Sequence, residues 1–196
     1  MRVISGSARG HRLIGPPSAQ TRPMADKIRE ALFSSLASLG AEPVNLLDLY
    51  AGTGSIGIEA LSRGAEHVDF VDHQRAACAV IRENLQRTHF SEQGAVHCYP
   101  VDQVYRRMRG SYDLIVLDPP YADPTIEAQL RQLGRSTLVQ SQGLVVLGHW
   151  PRLSLPEEIG RLSLLRRRCH GDSCFSIYAV GDEERPDVVT SEAPAS

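Results

Sequence analysis

Four consecutive residues in the middle of the chain could hold a planar amine. Asp118, Pro119, Pro120 and Tyr121 directly follow the apolar run 112–117. Proline has no N–H, so the carbonyls at this point are acceptors without competing donors. A carboxylate and a carbonyl can accept the two hydrogens of an exocyclic amine on a nucleobase, while an aromatic ring stacks on the base. The same residues would also suit an ordinary turn at the end of a strand.

The elements around this motif predict an α/β fold. Residues 114–117 lack polar alternation, which is typical of a strand covered on both faces. Strands at 44–50, 67–71 and 95–99 alternate with helical patterns, and a fifth strand is predicted at 144–147. The runs 162–165 and 174–179 are close enough for a hairpin, which would add an antiparallel strand. In such sheets ligands bind at the carboxyl ends of the strands, where Asp118 lies.

A glycine turn after the first of these strands predicts a cofactor site. Gly52 and Gly54 allow a tight turn and close approach of a ligand, and the next strand ends in Asp72, which could bind ribose hydroxyls. Gly57 completes the spacing of a dinucleotide motif, so NAD and S-adenosylmethionine both remain. Asp48 favours the second, since a carboxylate can organise water or an amino group but would repel a pyrophosphate. Together with the motif at Asp118, this indicates an amine methyltransferase.

Charge is distributed unevenly along the chain. The net charge is −2 overall, but residues 1–40 carry +4 and residues 181–196 carry −4. Cations on a short N-terminal hairpin and the helix after it could neutralise phosphates, and they are Arg9, Arg12, Arg22, Lys27 and Arg29. Lys27 and Arg29 are placed by the helical pattern away from the apolar stripe, free to meet an anion or solvent. The acidic tail is predicted to be disordered.

Composition sets the class of protein. No apolar run is long enough for a membrane helix and no signal-peptide pattern is present, so we expect a cytoplasmic protein and no membrane partner. The four cysteines lack paired metal spacing and are expected to be reduced packing residues, with no metal site. The predicted division is a hairpin and helix at 1–40, a main domain at 41–180 and the tail at 181–196.

Three segments resemble a known family. Residues 21–33 (TRPMADKIREALF), 47–65 (LDLYAGTGSIGIEALSRGA) and 117–121 (LDPPY) are similar to those of the bacterial 16S ribosomal RNA guanine-N2 methyltransferases of the small subunit. The resemblance covers about residues 1–180. It implies a Rossmann-like, S-adenosylmethionine-dependent methyltransferase fold with a seven-stranded, mostly parallel sheet. It also implies methylation of a guanine N2 amine, with 16S ribosomal RNA or a small-subunit assembly particle as the partner of a monomeric enzyme.

The same resemblance implies roles for individual residues. The motif from Asp118 to Tyr121 would hold the base, and Arg22 and Arg29 would lie near the cofactor or the RNA. The cofactor pocket would be lined by Asp48, Tyr50, Ala51, Gly52, Gly54, Asp72, His73, Asp102 and Asp118.

Two positions depart from the family pattern. Met24 stands where the family has Thr or Ser, so capping of the first helix would fall to Asp26 or Thr21. His149 and Trp150 follow the fifth strand, where the family often has an acid, and we expect both to pack.

Three other functions remain open at this point. They are a DNA methyltransferase acting on adenine N6 or cytosine N4, an NAD-dependent oxidoreductase, and a non-catalytic RNA-binding protein. A run of three arginines at 166–168 is expected in the connection of the last hairpin, either solvated or in contact with phosphate.

Overall fold

The computed structural model describes residues 1–15, 24, 26–120 and 123–181. Within these residues the helices and strands alternate along most of the chain. They are α1 (Asp26–Ser38), β1 (Asn45–Leu49), α2 (Ser55–Ser62), β2 (His67–Asp72), α3 (Arg75–Arg87), β3 (Gly94–Cys98), a 3-10 turn (Val101–Gln103), α4 (Val104–Arg107), β4 (Tyr112–Leu117), α5 (Ile126–Arg135), β5 (Val139–His149), β6 (Glu158–Ile159), β7 (Leu162–His170) and β8 (Ser173–Val180). Tyr121, Arg22, Thr21 and the predicted disordered tail, apart from Gly181, lie outside the described residues.

The strands form one sheet with the order β3-β2-β1-β4-β5-β8-β7-β6. The first five run parallel, and β8, β7 and β6 continue the sheet antiparallel. The predicted mostly parallel sheet and its closing antiparallel hairpin are therefore confirmed. The strand beyond the predicted seven is β6, which has two residues and pairs only with β7 at the sheet edge.

Strand β4 is buried on both faces, as its unbroken apolar sequence predicts. Leu114 and Val116 face a core cluster that includes residues of α1, α2 and α3. Ile115 and Leu117 face the second cluster, which includes residues of α4 and α5. Each such side chain contributes about 1.5–3 kcal/mol by burial, so β4 fixes the middle of the sheet and the position of the residue that follows it.

The N-terminal segment is a small hairpin docked on helix α2. Arg2 and Arg12 form an antiparallel bridge. Gly6 has φ +84°, and a side-chain carbon there would overlap the Ser62 carbonyl. The buried Glu59 carboxylate accepts the backbone N–H of residue 4 at 2.7 Å and of residue 5 at 3.0 Å. The predicted extension thus shares its core with the sheet.

Two features of the last hairpin differ from expectation. The arginines at 166–168 lie within β7 and not in the connection, which is the short turn between His170 and Ser173. Cys169 and Cys174 are directly opposite in the β7–β8 ladder and form a disulfide. The expectation that they are reduced is wrong in this structure, because strand register, unlike sequence spacing, brings them together.

None of the helices in the described part of the chain is long and apolar enough to span a membrane.

Candidate active site at the carboxyl edge of the sheet

The parallel strands bring the predicted site residues to one edge. Strand order reverses between β1 and β4, since the chain proceeds from β1 outward to β2 and β3 and then returns to the other side of β1. The Asp118 N–H donates to the Leu49 carbonyl at 3.3 Å, joining the ends of these two strands. The glycine turn and the motif that begins at Asp118 therefore flank the switch point, where α/β sheets bind ligands.

The turn after β1 has an unusual backbone. Tyr50, Gly52 and Gly54 have φ of 59°, 56° and 74°. Positive φ is costly for a side chain such as that of Tyr50, and such positions concentrate at functional sites. The N–H of Gly54 donates to the Ala51 carbonyl at 2.7 Å, which closes the turn before α2 begins. The backbone between β1 and α2 is thus held in a compact turn. Because Gly52 has no side chain, this turn leaves space in the crevice above it.

Gly57 has a packing role. A side-chain carbon there would overlap the ring of Phe70 on β2. The glycine therefore lets α2 lie close to the sheet, which explains the third glycine of the motif without assigning it to a ligand.

Asp72 ends β2 beside the glycine turn, as predicted. Its Oδ2 accepts the Gly52 N–H at 2.9 Å, and its Oδ1 accepts the Gln74 N–H at 2.8 Å. Each carboxylate oxygen has a second lone pair for a ligand. The ring of His73 is exposed, with Nδ1 3.8 Å from Asp72 Oδ1. The arrangement fits a ribose diol over the turn, because the carboxylate is rigidly held and retains acceptor capacity.

Asp48 lies below the turn and is 1% exposed. Its Oδ2 accepts the Gly57 N–H at 3.0 Å. Burial raises the pKa of Asp48 well above its ordinary value, and the charges of Asp118 and Asp72 raise it further. A carboxyl whose pKa is raised carries its charge less readily, so the charge argument against a dinucleotide is weaker than the sequence suggested. The choice of cofactor then rests on the amine motif and on the family.

Asp118 stands at the end of β4, partly buried. A side-chain carbon on Gly148 of β5 would overlap its Oδ1 and would approach Met24 Cε at 3.4 Å. Gly148 therefore makes room for the carboxylate, and Met24, 5% exposed, packs beside it. Burial raises the pKa of Asp118 to about 7. Of the other motif residues within the described ranges, Pro119 is buried and Pro120 exposed.

A polar network that the sequence did not indicate connects the glycine turn to α5. Tyr50 Oη donates to Gln129 Oε1 at 2.8 Å and lies 3.5 Å from Asp123 Oδ2. Asp123 also accepts the Thr125 N–H at 2.8 Å, which orders the start of α5. Burial raises the pKa of Tyr50 to about 12. The network ties the turn to the segment that follows the amine motif.

Asp102 is exposed on the 3-10 turn after β3. Because β3 runs parallel to β2, this turn lies at the same edge of the sheet as Asp72. The strand ends thus bring Asp102 toward the crevice that Asp72 and Asp118 border.

The predicted cationic residues divide into two groups. Arg9, Arg12 and Lys27 are exposed. Arg29 is fully buried, and its guanidinium lies 3.1 Å from Asp26 Oδ1 and 3.8 Å from Glu59 Oε2. The prediction that Arg29 faces an anion or solvent is wrong, because the N-terminal hairpin covers that side of α1. Burial lowers the pKa of Arg29 more than its carboxylate neighbours raise it.

His149, the last residue of β5, and Trp150, which follows it, differ in burial. His149 is 2% exposed and packs as expected, whereas Trp150 is 39% exposed, so its predicted packing role is wrong.

Known proteins match almost the whole chain. The family model described as conserved hypothetical protein 95 matches residues 1–179. A Bacillus subtilis (strain 168) protein named "Putative rRNA methyltransferase YlbH" is 33% identical over 181 residues, covering 91% of this chain and 98% of that protein. "Ribosomal RNA small subunit methyltransferase D" of Escherichia coli (strain K12) is 27% identical over 179 residues, covering 91% and 89%.

A solved structure has the same architecture. The structure titled "Putative methyltransferase yhhF from Escherichia coli" has a TM-score of 0.81 and 26% identity, and the match covers 93% of this chain and 99% of that one. The two chains share one Rossmann-like fold with an antiparallel edge.

Proposed function

This chain belongs to the family described as conserved hypothetical protein 95, and on that premise we propose that it is an S-adenosylmethionine-dependent methyltransferase of ribosomal RNA. The finer proposal is transfer to the exocyclic N2 amine of a guanine in 16S ribosomal RNA. The names of the Bacillus and Escherichia relatives support a ribosomal RNA substrate, and that of the Escherichia relative supports the small subunit. The Rossmann-like fold supports the cofactor class.

One observation carries the choice of an amine. Asp118 lies at the strand end next to the cofactor-type turn, followed by two prolines. An amine of a base can donate its two hydrogens to the Asp118 carboxylate and the Pro119 carbonyl, which leaves the nitrogen lone pair directed away from both acceptors. Tyr121 would stack on the base in place of a neighbour lost when the base leaves its stack.

The cofactor would lie over the glycine turn. Gly52 and Gly54 let it approach the backbone, Asp72 would bind the ribose hydroxyls, and Asp102 would accept the adenine amine. The pocket would be completed by Asp48, Tyr50, Ala51 and His73. When bound, S-adenosylmethionine supplies an electrophilic methyl group on a sulfonium ion. The protein supplies position, which is the larger part of catalysis when one bond is made and one is broken in a single displacement.

Ionised Asp118 accepts a hydrogen of the amine more strongly than the protonated acid does, and it can also take up the proton that the methylated amine releases. Burial raises its pKa to about 7, so the carboxylate form predominates only above neutral pH. The methylated amine is a strong acid before it loses its proton, so a carboxylate with this pKa is a sufficient base.

The exposed cations on the N-terminal hairpin and α1 would contact the RNA backbone. Arg9, Arg12 and Lys27 are exposed on this element, and each phosphate contact they make would contribute to a salt-dependent affinity. Arg29 has a structural role in this proposal, since it holds the hairpin against α1 by donating to the Arg2 carbonyl. The partner would be 16S ribosomal RNA or a small-subunit assembly particle, bound by a monomer in the cytoplasm.

The proposal is tested with Asp118→Ala. Transfer of a labelled methyl group to ribosomal RNA from a strain lacking the gene should fall at least about 100-fold, as for loss of one active-site polar contact. Affinity for S-adenosylmethionine should stay within about tenfold, because Asp118 is only one of several residues that line the cofactor pocket, whereas it is the carboxylate that holds the base. Glu92→Gln, in the exposed turn before β3 at the opposite edge of the sheet, is the control and should transfer at the wild-type rate.

Other outcomes would identify the rival functions. Methyl transfer to DNA but not RNA would indicate a DNA amine methyltransferase. Thermal stabilisation by NAD but not by S-adenosylmethionine would indicate an oxidoreductase. Binding of RNA without transfer would indicate a binding protein. Mass spectrometry of 16S ribosomal RNA from the deletion strain should show the loss of one N2-methylguanosine.

A further inference from the structure

Trp150 is an exposed aromatic residue next to the proposed base site. It is the only tryptophan of the chain, and 39% of its surface is accessible. Gly148, two residues earlier, lies directly beside Asp118. Adjacent strands are about 4.8 Å apart and two strand residues span about 7 Å, which places the Trp150 backbone within about 9 Å of Asp118. An extended backbone spans about this distance between neighbouring nucleotides once the target base has left its stack.

The backbone that carries Trp150 is fixed by two hydrogen bonds. The Trp150 carbonyl accepts the Leu153 N–H at 3.2 Å, which closes a turn through Pro151. It also lies 2.9 Å from His149 Nδ1. A carbonyl can only accept, so Nδ1 carries the proton in this contact. The ring of His149 therefore helps to hold the backbone from which the indole projects.

His149 is itself held by a polar chain whose inner bond, to Ser176, is buried. Its Nε2 lies 2.9 Å from Ser176 Oγ, and that oxygen accepts Arg167 Nε at 3.2 Å. Burial lowers the pKa of His149, with the charge of Arg167 acting in the same direction, so the ring is neutral and Nε2 accepts the serine proton. Each hydrogen bond from Arg167 to the Trp150 carbonyl therefore joins one donor to one acceptor. Buried polar groups with all their partners make a turn rigid.

Positive charge flanks the indole. Arg152 lies in the same turn and is exposed. The tip of the β7–β8 hairpin is at the same edge of the sheet, because His149 pairs with Cys174 and Cys174 with Cys169. This tip carries two exposed charged residues, the cation Arg168 and the anion Asp172. Within the described part of the chain, the guanidinium groups of Arg152 and Arg168 make no hydrogen bond or ion pair.

We propose that Trp150, Arg152 and Arg168 form a platform for the single-stranded RNA nucleotide adjacent to the target base. The inference rests on the proposed function. The indole stacks on the base of that nucleotide, and the two guanidinium groups contact phosphates on either side. The polar chain through His149 and Ser176 positions the platform. Its role is to hold the strand so that the neighbouring base enters the site beside Asp118.

The single tryptophan allows a direct test in the full-length protein. A short single-stranded oligoribonucleotide, one guanine among uridines, should quench the intrinsic fluorescence, and the same sequence in a duplex should not. Trp150→Ala should weaken binding of the single strand about tenfold or more, measured with a labelled oligonucleotide, since stacking of one base has that effect. Trp150→Phe should restore most of the affinity.

The control is Leu165→Ala, which removes another exposed apolar side chain, 48% accessible, from β7. It should leave RNA affinity unchanged. All three variants should retain the wild-type melting temperature and affinity for S-adenosylmethionine. Arg152→Gln should lower the salt dependence of RNA binding by about one phosphate contact.

Several results would overturn the platform. They are equal RNA affinity of the wild type and Trp150→Ala, equal quenching by single strand and duplex, or conversion of a wild-type dimer to a monomer by Trp150→Ala, which would show that a second copy covers the indole. The proposed function fails separately. If the wild type transfers no methyl group but Trp150 still stacks on single-stranded RNA, the platform stands and the methyltransferase does not.

Discussion

Replacing Asp118 by Asn should stabilise the protein, and the gain should grow with pH. The folded structure raises the pKa of Asp118 from 3.8 to about 7 because the carboxylate is buried. The protonated acid therefore favours the folded state below pH 3.8, and this contribution is lost as the pH rises to 7. Asn has the shape of the protonated acid and no charge at any pH, so the variant avoids the loss.

The size of the effect follows from the two pKa values. Each pKa unit corresponds to about 1.4 kcal/mol, so full ionisation of the folded acid costs about 4 kcal/mol. Between about pH 5 and about pH 8 the stability of Asp118→Asn relative to the wild type should increase by about 2.5 kcal/mol. Removal of the charge also lowers the pKa of Asp48 toward its ordinary value, which acts in the same direction.

Urea unfolding followed by far-UV circular dichroism at several pH values measures this gain. The control is Asp172→Asn, whose carboxylate is exposed at the hairpin turn, and it should show a small difference that does not grow with pH. Methyl transfer by the wild type should fall about tenfold for each pH unit below 7, since the protonated acid accepts more weakly and cannot take up the proton of the methylated amine. A stability difference that is the same at both ends of the range would refute the assignment of Asp118 as a buried ionisable acceptor.

Three further changes test the surrounding structure. In a thermal unfolding assay, Gly6→Ala should lower stability by about 3 kcal/mol or more, because the new carbon overlaps the backbone of α2. Its control is Gly10→Ala, at a glycine with φ +88° and open space around it, which should cost only about 1 kcal/mol. Tyr50→Phe removes the hydroxyl that donates to Gln129 and should cost about 1 kcal/mol in stability. The variant should lower the rate of RNA methylation more than the affinity for the cofactor. Equal losses of rate and affinity would contradict a role of Tyr50 in holding the segment after the amine motif. Iodoacetamide applied to the unfolded, unreduced protein should label two of the four cysteines, detected by intact mass, and labelling of all four would show that the hairpin disulfide is absent in solution.

Much of the fold follows from local sequence patterns. Apolar runs, helical periodicity and glycine turns are properties of neighbouring residues, and they predicted the order of the strands and helices and the antiparallel hairpin. The rule that parallel strands end at one edge then placed Asp72 and Asp118 on either side of the same crevice. These inferences required no knowledge of contacts between residues far apart in the sequence, because the local sequence indicates the length of each connection and so the direction of the next strand.

Tertiary packing decided what local patterns could not. Arg29 lies on the polar side of its own helix, yet the hairpin that Glu59 holds covers it, and that contact joins residues far apart in the chain. Trp150 follows a buried strand, but the turn fixed by His149 leaves its indole in solvent. Sequence by itself determined where β2 and β4 end, at Asp72 and before Asp118, since residue types and spacing are local, but β5 and β7 extend beyond their predicted ends. Which side chains are covered, paired or free depends on surfaces that meet only after the sheet has formed, and these decide where RNA can bind.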